Sequence, residues 1–303
     1  MNSDPSRSYL DPAVLNRVKS LELKARMVVE GFISGLHKSP YNGYSVEFAA
    51  YREYVPGDEV KHIDWKRWAR ADKLYIKQYE EETNMSCSIL FDCSRSMAYG
   101  QEEEGGSKFD YAATLSASLA YLLQSQQDAV GLVTFDTEIR KRIPAGSHPN
   151  QLRQIVHHLA ETEPSQETDV SDVFRSLANS MKQRGLVVVV SDCFVDLDTL
   201  ETSLRQFQFK GHDVMLCHVM HEHELSFPFT ENTRFRGMEQ HQEIMTEPRA
   251  LRRSYLAAVE RFLTEVRRVC SKHDVDYLKL STADPLEAAL AGYMAFRQNR
   301  GRK

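Results

Sequence analysis

Leu186 to Val190 is an unbroken aliphatic run, four of its five residues valine, and it narrows the possible folds more than any other segment. A run without polar alternation is the pattern of a strand covered on both faces, as in a parallel sheet flanked by helices. Cys87, Ile89, Leu90 and Phe91 make a second near-continuous run. Strand patterns also fall at Ala129 to Phe135, at Thr137 to Ile143, which alternates like an edge strand, at Val214 to Val219 and at Val275 to Leu280. Helical spacing separates them. It occurs at Phe109, Ala112, Leu115, Leu119 and Leu122, through Leu152 to Leu159, at Val170, Val173, Phe174, Leu177 and Met181, around Leu200 to Phe207, and at Leu251 to Val269. A last helix is expected near Asp284, with Pro285 at its first position. Strands alternating with helices predict an α/β fold with a doubly wound, mostly parallel sheet.

Both aliphatic runs lead into an aspartate, Asp92 and Asp192. In open α/β sheets ligands bind beyond the carboxyl ends of the strands. Asp92 is followed at alternate positions by Ser94 and Ser96, so a carboxylate and two hydroxyls converge at one strand end. Such oxygens suit a hard cation, Mg²⁺ or Mn²⁺. Thr168 precedes a helix and is either a fifth oxygen ligand or a plain N-cap, a role its neighbour Asp169 fills equally well.

Asp92, Ser94, Ser96, Thr168 and Asp192 together resemble the metal-ion-dependent adhesion site of the von Willebrand factor type A fold, over a stretch from about Ser86 to the C-terminus. The resemblance implies that the serines and the threonine ligate a divalent cation while the aspartates act through coordinated water. It also implies a coordination position left for an acidic residue of a partner. Ahead of that region, Gly35 to Thr83 resembles the DUF58 family, through Ser-Pro, Glu-Phe-Ala, Arg-Glu-Tyr, Pro-Gly-Asp, Ile-Asp-Trp and Ala-Arg elements in order. The expected division is residues 1–83, a smaller N-terminal helix-plus-β subdomain, and residues 84–303, the von Willebrand factor type A-like domain.

Within the N-terminal part, Leu10 to Glu30 has a helical pattern, and Ser45 to Ala49 and Leu74 to Tyr79 have strand character. Arg52, Asp58, Asp64 and Arg70 are interspersed with Tyr51, Tyr54, Trp65 and Trp68. These residues are either a partner-recognition patch with aromatic and arginine anchors or an internal ion-pair network, with Arg52 paired to Asp58 or Asp64.

The formal net charge of −5 gives no reason to expect a nucleic-acid partner. Five cysteines, an odd number without a secretory pattern, argue for reduced thiols, and Cys93 and Cys193 read as small packing residues. The N-terminus is polar and no run of 18 apolar residues occurs. DUF58 relatives often carry membrane segments ahead of the conserved region; no such segment is read in this sequence, and the expectation is a soluble, cytoplasmic protein. There is no P-loop and no Gly-x-Ser-x-Gly elbow. His218, His221 and His223, with Glu222 and Glu224, lack the spacing of a helical zinc site and are expected to form a polar loop. Glu102 to Glu104 make a solvated insertion or an internal carboxylate for the cation.

Two functions compete. DUF58 proteins are commonly linked to MoxR-type AAA+ ATPases, so the resemblance implies a non-enzymatic adaptor. Such an adaptor would grip an acidic residue of a client through Mg²⁺ or Mn²⁺, in a co-chaperone-like role. The alternative is a metal-dependent hydrolase in which Asp92 or Asp192 activates metal-bound water.

Overall fold

The structure is a computed structural model and describes residues 20–38, 51–53, 75–77, 85–101, 106–165, 170–181, 184–231, 233–238 and 243–300. Its chain divides into two units by contact, residues Ser34–Asn84 and residues Met1–Ile33 with Met85–Lys303. The expected division placed all of residues 1–83 in one N-terminal subdomain, whereas by contact residues Met1–Ile33 group with the larger unit. Helix α1 (Leu21–Lys38) accounts for the difference: its buried Ala25, Val28, Val29 and Phe32 belong to the larger unit. The helical pattern read from Leu10 lies outside the described residues as far as residue 19; in the described part the hydroxyl of Ser20 accepts the amide of Leu23, and the helix runs on past Glu30. An N-capping serine fixes the first turn more sharply than periodicity does. In the smaller unit β1 (Tyr51–Glu53) pairs antiparallel with β2 (Tyr75–Lys77); the strand read at Ser45 to Ala49 lies outside the described residues.

The larger unit is built on six strands: β3 (Ser86–Asp92), β4 (Ala129–Phe135), β5 (Ile139–Gly146), β6 (Leu186–Ser191), β7 (Asp213–Met220) and β10 (Asp276–Ser281). Their order is β10-β7-β6-β3-β4-β5. Every pairing is parallel except β4 with β5, a tight reversal at the edge. The sheet is therefore the expected mostly parallel α/β arrangement. Gly131 of β4 faces an irregularity in β5, where an added Cβ would stand 2.7 Å from the carbonyl of Ile143 and the amide of Ala145. Only glycine lets the two backbones approach there.

Helices cover both faces. On one, α2 (Lys108–Ser125), α3 (Gln151–Glu161) and α8 (Leu286–Arg300) pack against the strands, and Phe91 meets Phe109 edge to face at 5.1 Å. On the other, α4 (Val170–Ser180), α5 (Leu197–Phe209) and α7 (Pro248–Lys272) enclose a core of Leu90, Phe135, Val187, Val189, Leu204 and Leu216. Strand residues alternate between these cores, which explains the absence of polar alternation in β3 and β6. Three elements had no clear pattern: a 3₁₀ turn at Arg95–Ala98, the short helix α6 (Glu222–Ser226) and the hairpin β8 (Thr233–Arg236) with β9 (Glu243–Thr246).

Candidate functional site

The parallel register of β3 and β6 sets Phe91 opposite Val190, so Asp92 and Asp192 leave the sheet at the same carboxyl edge. Each aspartate ends its strand in the same way. Asp92 Oδ1 accepts the amide of Ser94 at 2.9 Å, and Asp192 Oδ1 accepts that of Phe194 at 3.1 Å. These side-chain turns bend the chain out of the strand. After Asp192 the bend includes Cys193 in the left-handed region, φ 54°. Ser94 then caps the 3₁₀ turn that carries Ser96, and the two hydroxyl oxygens lie 3.1 Å apart. Asp92 Oδ2 accepts the hydroxyl of Ser191 at 2.6 Å, tying the two strand ends together.

Asp92, Ser94, Ser96 and Asp192 are thus buried side by side. Thr168 lies outside the described residues, as do Asp58, Asp64, Trp65, Arg70 and the Glu102 to Glu104 run. Arg52 is placed in β1 by its backbone.

Two residues that the sequence reading did not assign to the site complete the cluster, Lys108 and Glu224. Lys108 opens α2 and places Nζ 2.7 Å from Asp192 Oδ2 and 2.9 Å from Glu224 Oε1, with its side chain 3% exposed. Glu224 is fixed in turn, since Oε2 accepts the amide of His221, the N-cap of α6. The expected polar loop after β7 is therefore a capped helical turn, and His221 is buried in it. A signal for Lys108 did exist: a cation at the first position of a helix opposes the macrodipole and calls for a nearby anion.

Burial works against ionisation of every group here, and the neighbours decide the outcome. Asp92 is raised above the usual carboxylate range, by burial first and by the charge of Asp192 second. For Asp192 burial is again the largest single influence, but the Lys108 ammonium together with hydrogen bonds from Ser96 and the Phe194 amide outweighs it and holds the group low. Lys108 is held protonated by its two carboxylates, against the same desolvation. Burial pushes the Cys93 thiol up to about 12, and all five cysteines are buried and none forms a disulfide, which suits packing residues.

His218, in β7, shares a hydrogen bond of 2.9 Å between Nδ1 and the Tyr277 hydroxyl, and burial pulls it from 6.5 down to about 4. The unfolded chain takes up this proton near pH 6.5. The folded ring resists it, so its stabilisation is full above 6.5 and is lost as the pH falls toward 4. His218→Gln is expected to remove about 3 kcal/mol of that acid dependence. Urea unfolding at pH 7.5 and 4.5, wild type against variant, measures it; equal slopes would mean the ring is not buried neutral.

The donor chemistry fits a hard divalent cation: two hydroxyl oxygens and two carboxylates, with no nitrogen or sulfur ligand among them. Among the described residues no group of three or more His, Cys, Asp or Glu is arranged to hold a metal. Cation binding would therefore depend on the serines, with Ser94 and Ser96 holding the ion and Asp92, which keeps acceptor capacity beyond its bonds from the Ser94 amide and the Ser191 hydroxyl, orienting water.

The family model described as protein of unknown function DUF58 matches residues 50–265, well over half of the chain. The chain belongs to the DUF58 family. This DUF58 protein is 22% identical over 293 residues to an uncharacterized protein of Mycobacterium tuberculosis, a match covering 95% of this chain and 91% of the relative. Among solved structures it is similar to an aerotolerance-related membrane protein from Bacteroides fragilis, with 16% identity and a TM-score of 0.51 over 72% of this chain and 100% of the other. That likeness is one of fold. A conserved hypothetical protein BatB from Bacteroides thetaiotaomicron follows at 15% identity, TM-score 0.47, covering 71% and 99%. Among the described residues of the DUF58 protein, no helix is long and apolar enough to cross a membrane.

Proposed function

We propose that this DUF58 protein is a non-enzymatic, cytoplasmic adaptor whose adhesion-type site binds Mg²⁺ or Mn²⁺ and through it an acidic residue of a client protein. The observation that carries the reading is the 3.1 Å pair of Ser94 and Ser96 hydroxyls, buried between two strand-end aspartates at the carboxyl edge of the sheet. The rim supports a docking role. Phe194, two residues beyond Asp192, is 67% exposed, and Arg95, between the serines, faces solvent. An exposed aromatic and an arginine are the residues that most often anchor an interface, and the arginine would favour an acidic partner. By its family resemblance the protein works with a MoxR-type AAA+ ATPase, which would supply the energy for assembling or activating the client complex.

Calorimetric titration of Mg²⁺ and Mn²⁺ into metal-stripped protein tests the reading. Saturable binding is expected in the wild type and at least a hundredfold loss in the Ser94→Ala, Ser96→Ala double variant. Equal affinities would sink the assignment. Metal-dependent phosphatase or esterase turnover abolished by Asp192→Ala would instead make the protein a hydrolase.

A further inference from the structure

A divalent cation at this site has a competitor already in place. Asp192 has one oxygen engaged by the Phe194 amide, and the other is taken by the ammonium of Lys108 at 2.7 Å. Nothing in local helix energetics favours a cation there, since Lys108 occupies the first position of α2, where the macrodipole is positive. The N-terminus is capped independently, by Ser107 and Asp110 in a reciprocal box. The lysine is therefore held by the carboxylates, with the ring of Tyr99 5.9 Å from Nζ. Its second partner, Glu224, is anchored on α6 and would keep the ammonium if Asp192 turned to another cation. Asp192 and Glu224 outnumber Lys108 two to one, so the lysine does not neutralise both carboxylates.

We propose that Lys108 is a tethered cation that competes with the divalent ion for Asp192 and thereby sets the affinity of the site. The inference rests on the metal-binding reading above. When the ion is absent, Lys108 keeps Asp192 charged and oriented; when the ion binds, Lys108 withdraws to Glu224. Two like charges sharing a buried carboxylate repel each other strongly, so the lysine lowers the affinity that the oxygens alone would give.

The test is calorimetric titration of Mg²⁺ and Mn²⁺ into the metal-stripped full chain, comparing wild type with Lys108→Met. A Lys108→Met, Glu224→Gln variant runs in parallel; it leaves one fewer carboxylate without a counter-ion, so it decides the matter if the single variant does not fold. At least a tenfold decrease in Kd is expected, with a larger rise of Tm on adding Mg²⁺ than in wild type. Binding by a variant where wild type shows none supports the proposal as well. Wild-type binding with an equal or larger Kd in the folded variant overturns this inference and leaves the metal site standing. Absence of binding in wild type and variants alike overturns the metal reading itself, and this inference with it.

Discussion

Replacing Asp192 by alanine in metal-free protein is expected to lower the unfolding free energy by about 3–5 kcal/mol, as removing one member of a buried ion pair does. The loss reflects what remains: a lysine side chain only 3% exposed, left with Glu224 alone. Urea unfolding in EDTA measures the effect. The companion variant Lys108→Met, Asp192→Ala removes both charges, and is expected to regain most of the loss, because apolar replacements of buried pairs are often neutral or stabilising. Single and double variants equally destabilised would show that Asp192 acts through its other hydrogen bonds, not through Lys108.

Phe174→Ala is expected to cost about 3–5 kcal/mol through the cavity it opens. Phe174 is 1% exposed and is the middle ring of an edge-to-face series, 5.4 Å from Phe135 of β4 on one side and 5.4 Å from Phe207 of α5 on the other. Truncation therefore loosens a strand and two helices together. The midpoint of chemical denaturation reports it, and Phe174→Leu should recover more than half. A loss below about 1 kcal/mol would mean that α4 settles into the gap, as collapsible sites do.

The sheet was legible because its central strands are hydrophobic on both faces. β4 matches its sequence pattern end to end, and β6 does so over Leu186 to Ser191. Elements held by single polar contacts were not legible. The turn of α6 depends on the His221 cap and on Glu224, contacts that no periodicity records. At the site, Asp92, Ser94, Ser96 and Asp192 could be read because each follows a strand closely in sequence. Lys108 and Glu224 are 84 and 32 residues away from Asp192, and only the fold brings them to it. Ser191 was hidden differently, as the last residue of the strand itself, where a hydroxyl against Asp92 looks like ordinary strand polarity.

The antiparallel strand at the rim of the sheet restricts how this molecule can assemble. Beyond β5 no further described strand pairs, so its outer backbone groups would accept another chain. Arg140, Lys141 and Arg142 project from it in succession and are exposed, Pro144 removes one amide donor, and its partner strand shows two breaks in register. Charge, proline and irregular pairing are the means by which natural sheets discourage strand addition. Strand addition along this margin of the sheet is thus discouraged.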